Sequence, residues 1–263
     1  MRKPVSPYYA AMCGRCVSPE ERALERAFDL GRRDNPSPFA RRYNVCPTDK
    51  IPFLRQPANA SRPELALGRW GMVPHWWKEA KPPRTSFNAR LEEAADKPMW
   101  RDAFARSRCL IPAEGWYEWQ AVERVDPSTG EIQKAKQPYF IRPKTGGIFC
   151  FAGVSAYWKD PGTGEALRSC AILTTRAEGS LAAIHDRAPV VLSPDVHAAW
   201  LSRSIVEVLN VRALAERRVP PSDLDQWRVR LFVNDSKADG PELIEQLEAE
   251  VTTSAEPSPS RRR

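Results

Sequence analysis

Removing residues 1–12 would leave Cys13 at a chain terminus, where it would carry an α-amine and a thiol on adjacent carbons. Such a 1,2-aminothiol condenses with an aldehyde to an imine, and its sulfur then closes a five-membered thiazolidine. An internal cysteine has no such route, because its nitrogen belongs to a planar amide. The α-amine has a reference pKa of about 7.7–8, against about 10.4 for lysine, so a sizeable fraction is neutral near physiological pH. The chemistry requires that Met1 to Met12 be absent, through translation from Met12 or cleavage of the Met12–Cys13 bond. On this reading residues 1–11 are a leader absent from the mature protein.

Cys13-Gly14-Arg15-Cys16 also reads as half a zinc site or a redox dithiol. Cys46, Cys109, Cys150 and Cys170 add no second C-x-x-C, and His75, His185 and His197 lack metal-ligand spacing. No metal or cofactor is therefore expected. Glu118 lies within Trp116-Tyr117-Glu118-Trp119, where aromatic surroundings raise a carboxyl pKa by desolvation and make it a usable general acid or base. Glu118 also fits an exposed strand position between buried tryptophans, and Glu114 competes for the catalytic role. His185, in Ile184-His185-Asp186-Arg187, is a proton shuttle or a structural loop residue, with Asp186 or Arg187 holding it or forming salt bridges. Asn88 offers a neutral amide for an amine or sugar, or begins an Asx turn. Trp76-Trp77 with Arg15, Arg42, Arg84 and Arg90 combine stacking faces with cationic forks. Stacking on an aromatic contributes about 1–3 kcal/mol per base, and phosphate contacts are salt-sensitive and blind to sequence. Paired tryptophans are otherwise core residues.

These residues occur in a fixed order of longer motifs. Cys13-Gly14-Arg15 is followed by Arg42-Tyr43-Asn44-Val45-Cys46-Pro47, by Trp70-Gly71-Met72-Val73-Pro74-His75-Trp76-Trp77 and by Phe87-Asn88-Ala89-Arg90-Leu91-Glu92. Then come residues 109–119 with Trp116-Tyr117-Glu118-Trp119, Leu173-Thr174-Thr175, residues 184–192 with Ile184-His185-Asp186-Arg187, Val233-Asn234 and residues 239–244. From Met12 to about Leu247 the series resembles the SRAP family, the SOS-response-associated peptidases or abasic-site processing proteins. The resemblance implies a mainly β pseudo-barrel with peripheral helices. It also implies a covalent thiazolidine between Cys13 and an abasic site in single-stranded DNA, shielding the lesion. Cys13, Asn88, Glu118 and His185 would be catalytic, His185 helping to open the sugar ring to the aldehyde. Arg15, Asn44, Pro47, Trp76, Trp77, Arg90 and Thr174 would contact DNA, with Arg90 near a phosphate and the tryptophans wedged at the lesion. An autopeptidase step exposing Cys13 and lyase-like chemistry on the sugar are further implications. A cysteine peptidase acting on peptides, with Cys13 attacking and His185 as base, is the alternative.

Composition sets looser bounds. The 263 residues fit one domain, and 42% hydrophobic residues suffice for a core. The net charge of +7 points towards nucleic acid, but Arg2 and Lys3 contribute two of those charges and the 252–263 tail another two. The body's excess is modest, so local arginine placement has to carry any DNA argument. No apolar run approaches the ~18–20 residues needed to span a bilayer, and the leader lacks a secretory h-region. Six unpatterned cysteines without an export signal point to a reducing cytoplasm. The chain is expected to be a monomer, nucleoid-associated when DNA-bound.

The positioning elements follow from local pattern. Ser18-Pro19-Glu20-Glu21 predicts a capped helix running to about Leu30, with Leu24, Ala27 and Phe28 on one face. Gly31 to Pro38 predicts a loop, residues 51–71 two strands around a loop at 56–63, and Lys78 to Ser86 a loop. Helices are expected near Arg90–Ala95, from Pro98 to Arg106 and over Pro194–Leu201. Cys109–Ile111, Trp116–Gln120, Tyr139–Arg142, Ile148–Tyr157 and Ser169–Thr174 have strand character, with hairpin loops at 123–135 and 159–165. Helices flanking many short strands argue for an α+β single domain over 12–251, and the Ser/Pro-rich, basic 252–263 tail reads as disordered.

Overall fold

The computed structural model describes residues 13–30, 38–79, 86–126 and 128–248. The expected leader and tail, most of the Gly31–Pro38 loop, and Arg84 lie outside these. Thirteen strands are found among the described residues: β1 (Arg15–Ser18), β2 (Arg42–Val45), β3 (Lys50–Arg55), β4 (Glu64–Trp70), β5 (Asn88–Arg90), β6 (Arg108–Ala113), β7 (Gly115–Val125), β8 (Ile132–Pro143), β9 (Phe149–Lys159), β10 (Ala166–Arg176), β11 (Arg187–Pro189), β12 (Val191–Leu192) and β13 (Leu224–Arg228). Five short helices flank them: α1 (Glu21–Ala27), α2 (Arg101–Arg106), α3 (Gly179–Ala182), α4 (His197–Leu201) and α5 (Val208–Glu216). No helix of the described residues is long and apolar enough to cross a membrane.

One sheet has the order β13-β8-β7-β1-β2, and the other runs β11-β10-β4-β3-β6-β9-β12 with β5 beside β10. A single core lies between them. Cys16, Val45, Trp116, Ile141 and Leu224 of the first sheet meet Ile51, Phe53, Trp70, Phe151 and Ile172 of the second. The expected α+β architecture, mainly a β pseudo-barrel with peripheral helices, is what forms. β6 joins the sheets, since it leads through Glu114 directly into β7 and is buried along its whole length. That explains its near-continuous apolar sequence. Gly115 stands where the chain changes sheet, and a Cβ there would lie 2.0 Å from Phe140 Cζ.

Several local expectations differ from the structure. Ser18 belongs to β1 rather than capping a helix, and α1 starts at Glu21 with no side-chain cap. Residues 91–96 form turns, not a helix, because Asn88–Arg90 are drawn out as β5 alongside β10. The 123–135 segment is mostly strand: β7 and β8 stay paired out to Val125 and Ile132. β1 is too short for alternation to reveal, and its partners are remote in sequence.

A C-terminal layer covers the outer face of the first sheet. Asn44, fully buried, donates from Nδ2 to the carbonyls of Asp235 (2.9 Å) and Ala238 (3.0 Å) and more distantly to that of Val233 (3.4 Å). Arg15 Nη1 donates to Asn44 Oδ1 at 2.8 Å and to the Val233 carbonyl at 2.7 Å. Removing the amide leaves buried carbonyls without their donor, which costs about 1–3 kcal/mol. Asn44→Ala is therefore expected to lower the unfolding free energy by that amount, read as a lower urea midpoint at unchanged slope, and to expose residues 230–247 to proteolysis. An unchanged midpoint would show that this clamp is dispensable.

Candidate active site

The register of β1 against β7 builds the site. Arg15 pairs with Tyr117 and Cys16 with Trp116, so the chain just before β1 arrives beside Glu118. Alternation along β7 turns Tyr117 and Trp119 towards the C-terminal layer and Trp116 towards the core between the sheets. Glu118 shares the face of Trp116. It is 4% exposed, so the exposed-strand alternative does not hold. One of its oxygens, Oε2, accepts the Cys13 N–H at 3.0 Å and the Cys13 S–H at 3.2 Å. Glu114 instead pairs with Arg41.

Burial sets the electrostatics. Loss of hydration raises the Glu118 pKa above the usual carboxylate range, opposed by the charge of His185 and by hydrogen bonds from Cys13 and Trp119. The Cys13 thiol is pushed well up, first by burial and then by the Glu118 charge, with Arg187 pulling it back. The resting thiol is therefore protonated, with a base already on its proton. Cys13 adopts φ +44°, a left-handed conformation that costs an L-residue about 1–2 kcal/mol.

The second sheet supplies the other side chains. Asn88 on β5, paired with Ile172 of β10, reaches the Cys13 carbonyl with Nδ2 at 3.5 Å. His185 lies in the turn before β11. Its Nδ1 accepts the Arg187 N–H at 3.0 Å and lies 2.8 Å from Asp186 Oδ1. The first contact uses Nδ1 as an acceptor and the second needs it as a donor, so the ring has a partner on either side of Nδ1. Arg187, whose side chain is 12% exposed, holds both carboxylate oxygens of Glu92 at 2.8 Å and donates to the Thr174 carbonyl at 2.7 Å. Sequence reasoning left Arg187 without a distinct role and gave Glu92 none. The signal was present in the Ile184-His185-Asp186-Arg187 motif, but the pairing spans 95 residues.

The expected DNA-contacting residues divide. Trp76 is 45% exposed, Trp77 is half-buried, and Arg90 is exposed with Glu93 at 3.3 Å. Arg90, Glu92, Glu93, Arg176, Asp186 and Arg187 line an open cleft of about 440 Å³. Arg15 and Asn44 are enclosed under the C-terminal layer, their polar groups bonded to it. Pro47 and Thr174 are buried as well. Among the described residues no three His, Cys, Asp or Glu side chains gather as a metal site.

The sequence profile of the SOS response associated peptidases (SRAP) matches residues 12–236. The chain belongs to the SRAP family. Within it, the chain is 34% identical to the abasic site processing protein YoqW of Bacillus subtilis, over 77% of this chain and 85% of that protein. It is 31% identical to the abasic site processing protein YedK of Escherichia coli, over 89% and 99% respectively. A crystal structure of a Bacteroides thetaiotaomicron protein superposes with a TM-score of 0.71 at 22% identity, covering 90% of this chain and all of that one, which shows the shared fold. The SRAP profile begins at Met12, immediately before the cysteine that Glu118 contacts.

The raised Glu118 pKa has a consequence for stability. An acid whose folded pKa lies above its unfolded value of about 4.3 binds more protons when folded. Its contribution is full below the unfolded pKa and is lost as pH rises through the folded pKa. Glu118→Gln removes that loss. Its melting temperature relative to wild type should rise as pH increases from 4 towards neutrality. A difference independent of pH would mean that burial leaves this carboxyl unperturbed.

Proposed function

We propose that this SRAP protein processes abasic sites in single-stranded DNA by joining itself to them through Cys13 once that residue is N-terminal. The observation carrying the proposal is the single Glu118 oxygen within hydrogen-bond reach of both the nitrogen and the sulfur of Cys13. Two nucleophiles on one residue, served by one buried carboxylate, suit a reaction in which both add to the same carbon.

The neutral amine attacks the C1′ aldehyde of the open sugar. Water leaves, and the resulting imine carbon is then attacked by the sulfur. The S–H proton passes to Glu118 and on to the ring nitrogen, so that amine, aldehyde and thiol give a thiazolidine and one water. Proton transfer by a positioned group is worth about 10²–10⁴-fold in rate. Glu118 suits the task because burial moves its pKa towards neutrality. His185 is the second proton carrier, assisting ring opening of the sugar. Asn88 holds the Cys13 carbonyl and with it the orientation of the nucleophiles. Trp76 and Trp77 stack on bases beside the lesion, and Arg90 meets a phosphate after leaving Glu93.

Exposure of Cys13 belongs to the same proposal. The left-handed φ at Cys13 is held by the Glu118 and Asn88 contacts, and it stores strain next to the peptide bond whose absence frees the amine. Initiation at Met12 followed by methionine removal, or self-cleavage assisted by Glu118, gives the same terminus.

Cys13→Ala is expected to abolish a heat-stable product with an abasic oligonucleotide while leaving single-strand binding appreciable. A variant that crosslinks as wild type does would end the thiazolidine assignment, and turnover of peptides without crosslinking would favour the peptidase reading. Arg90→Ala is expected to weaken binding equally across sequences and to reduce the log–log salt slope by about 0.7. An unchanged slope would remove the phosphate role.

A further inference from the structure

A second cavity, of about 330 Å³, lies between the loop after β4, helix α2 and the outer end of β9. That size is in the range of small-molecule pockets. Two aromatic residues with exposed faces line it, Trp76 at 45% and Tyr157 at 54%. Half-buried Met99 adds apolar, polarisable surface over the buried Met72, and Arg106 and Arg203 bring two exposed guanidinium groups against the one carboxylate of Asp102 in the lining. Neither arginine is paired with a carboxylate of any described residue, in contrast to Arg90 and Arg187. The tryptophan loop is pinned beside the cavity: Trp158 Nε1 donates to the Trp77 carbonyl at 2.7 Å, and Trp76 packs edge-on against Trp77 with centroids 5.7 Å apart.

An aromatic wall, thioethers and unpaired arginines form a combination suited to a planar base with its phosphate. Every base has a π-face, so such a site tolerates any sequence. We propose that this cavity is a nucleobase subsite for a nucleotide flanking the lesion, the base stacking on Trp76 and Tyr157 and the phosphate meeting Arg106 and Arg203. The inference rests on the DNA reading above, since Trp76 forms one wall. It extends the protein's hold on the strand beyond the nucleotide that reacts, on a face that Cys13 does not touch.

The test uses the full chain and ligands carrying a tetrahydrofuran abasic analogue, which has no aldehyde and so reports binding alone. One ligand is the tetrahydrofuran unit alone with a phosphate on each side, which carries no base, and the other is a strand of about nine nucleotides with the analogue at its centre, within the span one single-strand-binding fold covers. Tyr157 and Arg203 are exposed and outside the catalytic set, so Tyr157→Ala with Arg203→Ala leaves the fold intact. The double variant should lose about 5- to 150-fold in affinity for the longer strand, as loss of one stacked base implies, and keep wild-type affinity for the baseless bisphosphate. Tyr157→Phe with Arg203→Lys should restore most of the loss. 2-Aminopurine placed along the longer strand should be quenched at one position by wild type and not by the double variant. Equal affinity of wild type and double variant for the longer strand, or an equal loss on both ligands, would overturn the subsite. Wild-type protein that fails to crosslink a true abasic strand would instead bring down the function itself, and the subsite with it.

Discussion

A single carboxylate oxygen touching both the nitrogen and the sulfur of one residue is the constraint around which this molecule is arranged. Glu118 Oε2 lies 3.0 Å from the Cys13 nitrogen and 3.2 Å from its sulfur, and neither residue is open to solvent. Holding that contact requires the β1–β7 register, which is set by long pairing between β7 and β8 and by the β6–β7 crossing between sheets. A slip of one residue would turn Glu118 to the other face and put Tyr117 or Trp119 in its place. The outer face is closed by Arg15 and Asn44 bonding to the C-terminal layer, so residues nearly 200 positions away stabilise the strand that delivers Cys13.

Burial has opposite effects on the two partners' chemistry. It keeps the thiol protonated and unreactive until an electrophile arrives, and it makes the carboxylate a stronger base than it would be in water. The Arg187 charge acts in the other direction on the thiol, and Arg187 is itself fixed by Glu92 and the Thr174 carbonyl. The cleft beside it holds arginines and carboxylates together, Arg90 with Glu93 and Arg187 with Glu92.

Much of the fold was legible where local pattern and tertiary need agree. The strands from Cys109 to Thr174 follow from β-branched and aromatic runs between turn signals, and the helix expected over Pro194–Leu201 forms as a 3-10 turn leading into α4. Legibility failed where distant pairing overrides propensity. Ser18 has capping chemistry but is taken by β1, and Asn88–Arg90 precede a helical-looking stretch but are pulled into register with β10. In the site, aromatic neighbours made Glu118 a candidate, but pattern alone fitted an exposed strand position equally, and the motif match singled it out over Glu114. For Arg15 and Asn44 the sequence is silent about their protein partners, because arginine and asparagine in a motif look the same whatever they bond, and the carbonyls they meet lie far along the chain.

The central claim is that both nucleophiles of a terminal Cys13 end on one carbon of the DNA. Mass spectrometry of the nuclease- and protease-trimmed crosslink tests it directly. The account predicts an adduct on a peptide beginning at Cys13, with the mass of peptide plus abasic sugar remnant less one water, and with neither a free α-amine nor a free thiol on that residue. An adduct on any other side chain, or on protein that still carries residues 1–12, would contradict it.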